Sequence, residues 1–163
     1  MSRLIILCVL ILFLSKCRTY SSNANRESLP LFNLLMIDSL TIFNTTNIES
    51  NGHIVLYYFS PDCEECQAET EDIVKNIDSL RTVKFYFVTS DSFERMKVFY
   101  YYYKLSQYQN IIIGRDYDGF FAKHFNARVT PCLALYNKKK ELVAFYNGPT
   151  KMRDMMKAMR ELE

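Results

Sequence analysis

Along this chain, unbroken apolar runs alternate with stretches in which apolar residues return every three or four positions. The strongest run, Ile54-Val55-Leu56-Tyr57-Tyr58-Phe59, predicts a strand buried on both faces of a parallel sheet. Ser60-Pro61-Asp62 stops it, and Cys63-Glu64-Glu65-Cys66 follows. Beyond the cysteines Ile73, Val74, Ile77 and Leu80 recur at helical spacing, so the cysteine pair opens an amphipathic helix. Val83 to Val88 predicts a second strand, and strand, helix and strand make a βαβ unit with a right-handed crossover. Ser90-Asp91-Ser92 offers N-caps for a helix from Phe93 to Leu105. Ile111 to Ile113 reads as a strand and Asp118 to Phe125 as a short helix. Val129 to Tyr136, a turn at Lys138-Lys139-Lys140 and Leu142 to Tyr146 form a hairpin. Asn147-Gly148-Pro149 ends it, and Thr150 caps a last helix through Leu162 with Met152, Met155, Met156 and Met159 as apolar filler. Ahead of the central strand, Leu31 to Ile37 and Leu40 to Phe43 predict two edge strands or a hairpin, and Asn44 to Gly52 a loop.

The first sixteen residues follow another pattern. Arg3 precedes an apolar run, Leu4 to Leu14, too short for an ordinary membrane span and suited to the hydrophobic region of a signal peptide. Leu14-Ser15-Lys16-Cys17 resembles the bacterial lipoprotein box, which implies lipidation at Cys17. Lys16 departs from that pattern, which wants a small residue there. An uncleaved anchor and ordinary cleavage nearby are the alternatives. The polar stretch Ser21 to Ser28 reads as tether. The expected organisation is a leader over 1–16, a flexible tether over 17–29 and one α/β domain over 30–163.

Composition narrows the function. A chain of 163 residues with 49% hydrophobic residues can bury a sizeable core. Its formal charge of +2, neutral once residues 1–16 are removed, argues against nucleic acid as a partner. Four adjacent tyrosines, Tyr100 to Tyr103, cover all sides of a helix, so one or two belong to the core and the others to its rim. The three lysines read as a solvated turn.

The cysteine pair carries the chemistry. A thiolate attacks disulfides, and the amides and positive dipole end of a helix N-terminus stabilise it, which makes Cys63 the candidate nucleophile. Cys66, one turn on, can close a ring with Cys63 and resolve a mixed disulfide. Half of a zinc site and two ordinary buried thiols are the other readings. Zinc would require a second ligand pair, and Cys132, His124 and His53 show no paired spacing, so no metal is assigned.

A strand, a CxxC at a helix start, and later Thr130-Pro131 leading into a hairpin and last helix resemble the thioredoxin superfamily. The introductory strands from Leu31, the two added elements between Ile111 and Phe125 and the leader are most similar to the TlpA/ResA-like membrane-tethered thiol–disulfide oxidoreductases of bacteria. The resemblance covers Pro30 to Glu163. It implies a central mixed sheet flanked by helices, with extra N-terminal strands and a strand–helix insertion before a cis-proline. It makes Cys63 the attacking and Cys66 the resolving cysteine, Pro131 the cis-proline, and Thr130 the residue whose backbone lines a substrate groove. No cofactor beyond the Cys63–Cys66 disulfide is implied. The implied partners are a disulfide-containing client protein, a membrane thiol electron donor and, through a lipid or anchor, the membrane facing the periplasm.

The chain departs from that pattern at several places. Asp62 stands where the family carries a tryptophan. Tyr57 falls where many thioredoxins carry a buried acid, which leaves proton transfer at Cys66 without an evident carboxylate. Asp62, Glu64 and Glu65 put negative charge around Cys63, which disfavours the thiolate and argues for a reductant over a strong oxidant. Cys132 is either a small buried residue starting a strand or, beside the groove, a second partner for Cys63 or a metal ligand. The leading expectation is an exported protein-disulfide reductase or interchange enzyme. A redox-inactive thioredoxin-like binding module and a thiol peroxidase are the alternatives. The peroxidase ranks last, because Ser60-Pro61-Asp62-Cys63 lacks the threonine that peroxidases of the related fold need.

Overall fold

The computed structural model describes residues 27–49 and 51–161. The expected leader over 1–16, Cys17 and the expected tether up to residue 26 lie outside them. Seven strands form one mixed sheet: β1 (Asn33–Met36), β2 (Ile42–Asn44), β3 (His53–Tyr58), β4 (Val83–Thr89), β5 (Ile111–Arg115), β6 (Cys132–Tyr136) and β7 (Leu142–Asn147), in the order β2-β1-β5-β4-β3-β6-β7. The helices are α1 (Glu64–Lys75), α2 (Phe93–Tyr102), α3 (Phe120–His124) and α4 (Met152–Glu161).

The apolar run at β3 sits between β4, parallel to it, and β6, antiparallel to it. Because side chains alternate along a strand, one run supplies two cores. Val55, Tyr57 and Phe59 join Cys66 and Ile73 of α1, Met96 and Phe99 of α2, and Met155 and Met159 of α4. Ile54 and Leu56 join Leu34, Val88, Cys132, Tyr136 and Phe121 of α3 on the other face. The fold is therefore α/β with helices on both faces of a mixed sheet.

The edge strands are an antiparallel hairpin, and it joins the sheet through β5 and not beside the central strand. Several boundaries shift for local reasons. α2 stops at Tyr102, short of Leu105, because Lys104 takes a left-handed conformation and a short 3-10 turn follows. α3 begins at Phe120, after Asp118: the buried Asp116 carboxylate accepts the Phe120 and Phe121 N–H groups. β6 starts at Cys132, since Pro131 has no N–H to give the ladder. α4 begins at Met152, not next to Thr150, whose hydroxyl bonds the Gly148 carbonyl instead.

The expected tether limit at residue 29 needs correction for its last three positions. Leu29 is buried, its N–H donates to Lys140 O at 2.9 Å, and Leu142 N–H donates to Glu27 O at 2.7 Å. Backbone pairing with the β6–β7 hairpin makes Glu27 to Leu29 part of the domain. Among the described residues no helix is long and apolar enough to cross a membrane.

Candidate functional site: the Cys63–Cys66 disulfide

At the end of β3 the chain leaves the sheet through Phe59, whose N–H still donates to Val88 O at 3.0 Å. Ser60-Pro61-Asp62 turns it into α1: Cys63 N–H donates to Ser60 O at 3.2 Å, and Gln67 Nε2 donates to Pro61 O at 2.9 Å. Cys63 is then the N-cap of α1, in extended conformation, with its sulfur accepting the Cys66 N–H at 3.1 Å. A sulfur in that position receives an otherwise unpaired helix-end N–H and the positive end of the helix dipole, which stabilise a thiolate.

Cys63 and Cys66 are joined in a disulfide with their Cα atoms 5.2 Å apart. Their exposure differs. Cys66 is fully buried in the core under α1, whereas Cys63 is partly open to solvent. The Thr130–Pro131 peptide bond is cis, and the Thr130 carbonyl lies 3.5 Å from Cys63 Sγ. The structure thus brings together Cys63, Cys66, Thr130 and Pro131 from two distant parts of the chain.

The acidic surroundings are less uniform than the sequence suggests. Asp62 is held by the Arg95 guanidinium, which also binds Asp91 Oδ1 at 2.6 Å. Asp91 in turn accepts from Ser60 Oγ at 2.7 Å, and its carbonyl accepts from Arg115 Nε at 2.7 Å. One network clamps the loop before Cys63 to the start of α2 and neutralises Asp62. Glu64 and Glu65 remain exposed, with Glu65 Oε2 3.8 Å from Cys63 Sγ.

Tyr57 is fully buried and donates its hydroxyl to Cys66 O at 3.0 Å. Burial, then the neighbouring Glu69 charge, pushes its phenol well above the usual range. The structure supplies a carboxylate that the sequence reading missed. Glu69 lies one turn beyond Cys66 on the buried stripe of α1, with Cys66, Thr70 and Ile73. It accepts the Thr150 N–H at 3.2 Å. Burial is the main cause that pushes its carboxyl up to about 7; the Thr150 bond works against the rise and Asp72 adds to it. The available signal was an acid at the i+3 position from Cys66 with Ile73 four residues further on, which places it on the apolar face.

Cys132 is a free, fully buried thiol. Its sulfur lies 3.1 Å from Val129 O and 3.2 Å from Asn147 Oδ1, and burial pushes the thiol up. It pairs with Tyr58 across the strands and packs in the core on the far face from Cys66. A bond to Cys63 would first require Cys132 to leave that core. Among the described residues no group of three or more His, Cys, Asp or Glu side chains is placed to hold a metal ion. In the tyrosine run, Tyr100 and Tyr103 pack against the core and Tyr101 and Tyr102 are exposed.

A CxxC disulfide at a helix N-terminus, beside a cis-proline loop on this sheet order, defines a thioredoxin-like fold. Similar solved structures come from several bacteria. A secreted Mycobacterium tuberculosis disulfide oxidoreductase, described as homologous to E. coli DsbE, is 19% identical over 80% of this chain and 96% of its own, with a TM-score of 0.66. DsbF of M. tuberculosis is 20% identical over 81% and 95%, with a TM-score of 0.68. The exposed lipoprotein thioredoxin Etrx1 of Streptococcus pneumoniae is 19% identical over 82% and 100%, with a TM-score of 0.63. No family model and no curated protein matches the chain.

Proposed function

We propose that the protein is an exported thiol–disulfide oxidoreductase that reduces or exchanges disulfides in client proteins. The observation that carries this reading is the pairing of a partly exposed Cys63, whose sulfur caps α1, with a buried Cys66. In the reduced state Cys63 attacks a client disulfide as thiolate. The client S–S bond breaks, a Cys63–client mixed disulfide forms, and one client thiolate leaves. Cys66 gives up its proton and attacks Cys63 Sγ, which restores the Cys63–Cys66 bond and releases the second client thiolate. Two electrons have then passed to the client, whose two thiolates take up one proton from Cys66 and one from solvent, and a membrane thiol donor resets the pair.

Thr130, with its carbonyl beside Cys63 Sγ, is the backbone against which the client segment lies, with Pro131 holding the loop. Glu69, the buried carboxylate one turn beyond Cys66 on α1, is the group that receives or returns the Cys66 proton. Export is supported by the leader pattern of residues 1–16 and by the secreted and lipoprotein descriptions of similar structures. Lipidation at Cys17 would tether the domain to a membrane facing the periplasm.

The test is insulin reduction by the full chain with dithiothreitol as donor. Cys63→Ser should fall to the uncatalysed rate, and Cys66→Ser should accumulate a mixed disulfide. Equal inactivity of the wild type and both variants would refute the oxidoreductase reading and leave a binding module.

A further inference from the structure

From the loop that precedes Cys63, the surface between α1 and α2 opens into a groove of about 500 Å3. Phe99 and Tyr103, both packed against the core, contribute to its lining, together with Val98 and Tyr102, which are 70% and 74% exposed. Apolar side chains left this open are a candidate contact surface. The groove begins at Pro61 and Asp62, the two residues before Cys63.

Its charge is one-sided. Asp62, Glu71 and Glu94 line it against Arg95 alone, and Arg95 is already bound to Asp62 and Asp91. Among the described residues no cation pairs with Glu71 or Glu94. Exposed Glu64 and Glu65 extend the same sign to the disulfide itself.

Resting on the oxidoreductase reading above, we propose that this groove selects the client. It takes a segment that carries a bulky apolar residue next to Lys or Arg, within a few residues of the client cysteine. The apolar residue packs between Val98, Phe99 and the two tyrosines, and the cation meets Glu71 and Glu94. A second copy of the chain is disfavoured because it would bring the same acidic rim against itself. Anionic membrane surfaces are disfavoured for the same reason. A segment held by Cys63 and extended past Asp62 gains about 3.3 Å per residue, so the groove lies within its reach.

The experiment uses two synthetic peptides with one identical intramolecular disulfide and a Phe two residues from a cysteine, flanked by Lys in one peptide and Glu in the other. Reduction by the full chain, with dithiothreitol resetting the Cys63–Cys66 pair, is followed at low and high salt. The Lys peptide should show a KM about three- to tenfold lower at low salt, since each exposed charge pair contributes modestly, and salt should close the gap. The preference should shrink in an E71Q/E94Q variant. Equal KM values with both peptides turned over would overturn the groove while leaving the oxidoreductase intact. A preference unchanged in E71Q/E94Q would assign selectivity to Glu64 and Glu65 and also overturn it. No turnover of either peptide would defeat the underlying reading, and the groove with it.

Discussion

Glu69 loses most of its water on folding and keeps one hydrogen bond, from Thr150 N–H, as compensation. Its carboxyl rises from the usual 4.5 to about 7, so between those values the folded protein holds a proton that the unfolded chain has released. The sign follows: the Glu69 contribution to stability is highest below about pH 4.5 and is lost as pH rises through about 7. A Glu69→Gln variant cannot ionise, so urea titrations should find it more stable than wild type at pH 8, by on the order of 2 kcal/mol, and near parity at pH 4.5. Equal differences at both values would disprove the assignment. Arg95 acts on charge. Arg95→Gln should change stability by about 1 kcal/mol, because the Asp62 pair is exposed and only the Asp91 carboxylate is mostly shielded from water. It frees the Asp62 charge beside Cys63, however, and alkylation of the reduced protein at pH 7 should slow about two- to fivefold. An unchanged rate would show that Asp62 does not reach the sulfur. Cys63 and Cys66 were legible because a thiolate needs a helix N-terminus, and that pattern is local. Glu69 and Arg95 were not: the first looked like one more polar residue of an amphipathic helix, and the second meets Asp62 only because α2 folds back beside the loop.

Elements follow the same division between local and non-local causes. The strands and helices named above were signalled by an apolar run or a helical period, and the misplaced ends, at Tyr102, Phe120, Cys132 and Met152, sit where a left-handed residue, a side-chain cap, a proline or a hydroxyl bonded elsewhere outweighs hydrophobic spacing. Strand order was less accessible. The hairpin of β1 and β2 sits against β5, and Gly114, a residue with no chemistry to attract notice, leaves the room for it. A Cβ there would stand 2.7 Å from Leu34 Cβ, closer than packed carbons tolerate. Gly114 pairs with Met36 across the strands, so any side chain pushes the hairpin off the sheet. Gly114→Val should cost about 2 kcal/mol or more in a thermal or urea melt. It should also speed amide exchange in β1 and β2 more than in β3 and β4. Uniform loss of protection across the sheet would mean that the hairpin is not a separable unit.

At the scale of the whole molecule, the register places the two ends of the sheet at different tasks. Tyr58, at the end of β3, pairs with Cys132, at the start of β6, and this end carries the disulfide and Thr130. Ile54, near the start of β3, pairs with Tyr136, next to the β6–β7 turn. Glu27 and Leu29 bond to Leu142 and Lys140 at that turn, and Glu27 also meets His124 Nε2 at 2.8 Å. The chain therefore enters the domain at the pole opposite Cys63, separated from it by about 15 Å of strand at roughly 3.3 Å per residue. A lipid at Cys17 would join the domain at the hairpin pole, and the stretch from Cys17 to Glu27, long enough to reach about 33 Å at roughly 3.3 Å per residue, would leave the disulfide free to turn toward soluble clients. On that geometry, a soluble maleimide polymer should label reduced Cys63 on vesicle-bound chains within about twofold of its rate in detergent, as followed by peptide mass mapping; a twofold rate difference corresponds to less than RT in free energy. The same reagent placed on a cysteine substituted for Lys139, at the pole where the chain enters, should be slowed by the vesicle more than Cys63 is. Protection of Cys63 instead would mean that the disulfide faces the membrane, and would favour exchange with the membrane donor as the step that the tether serves.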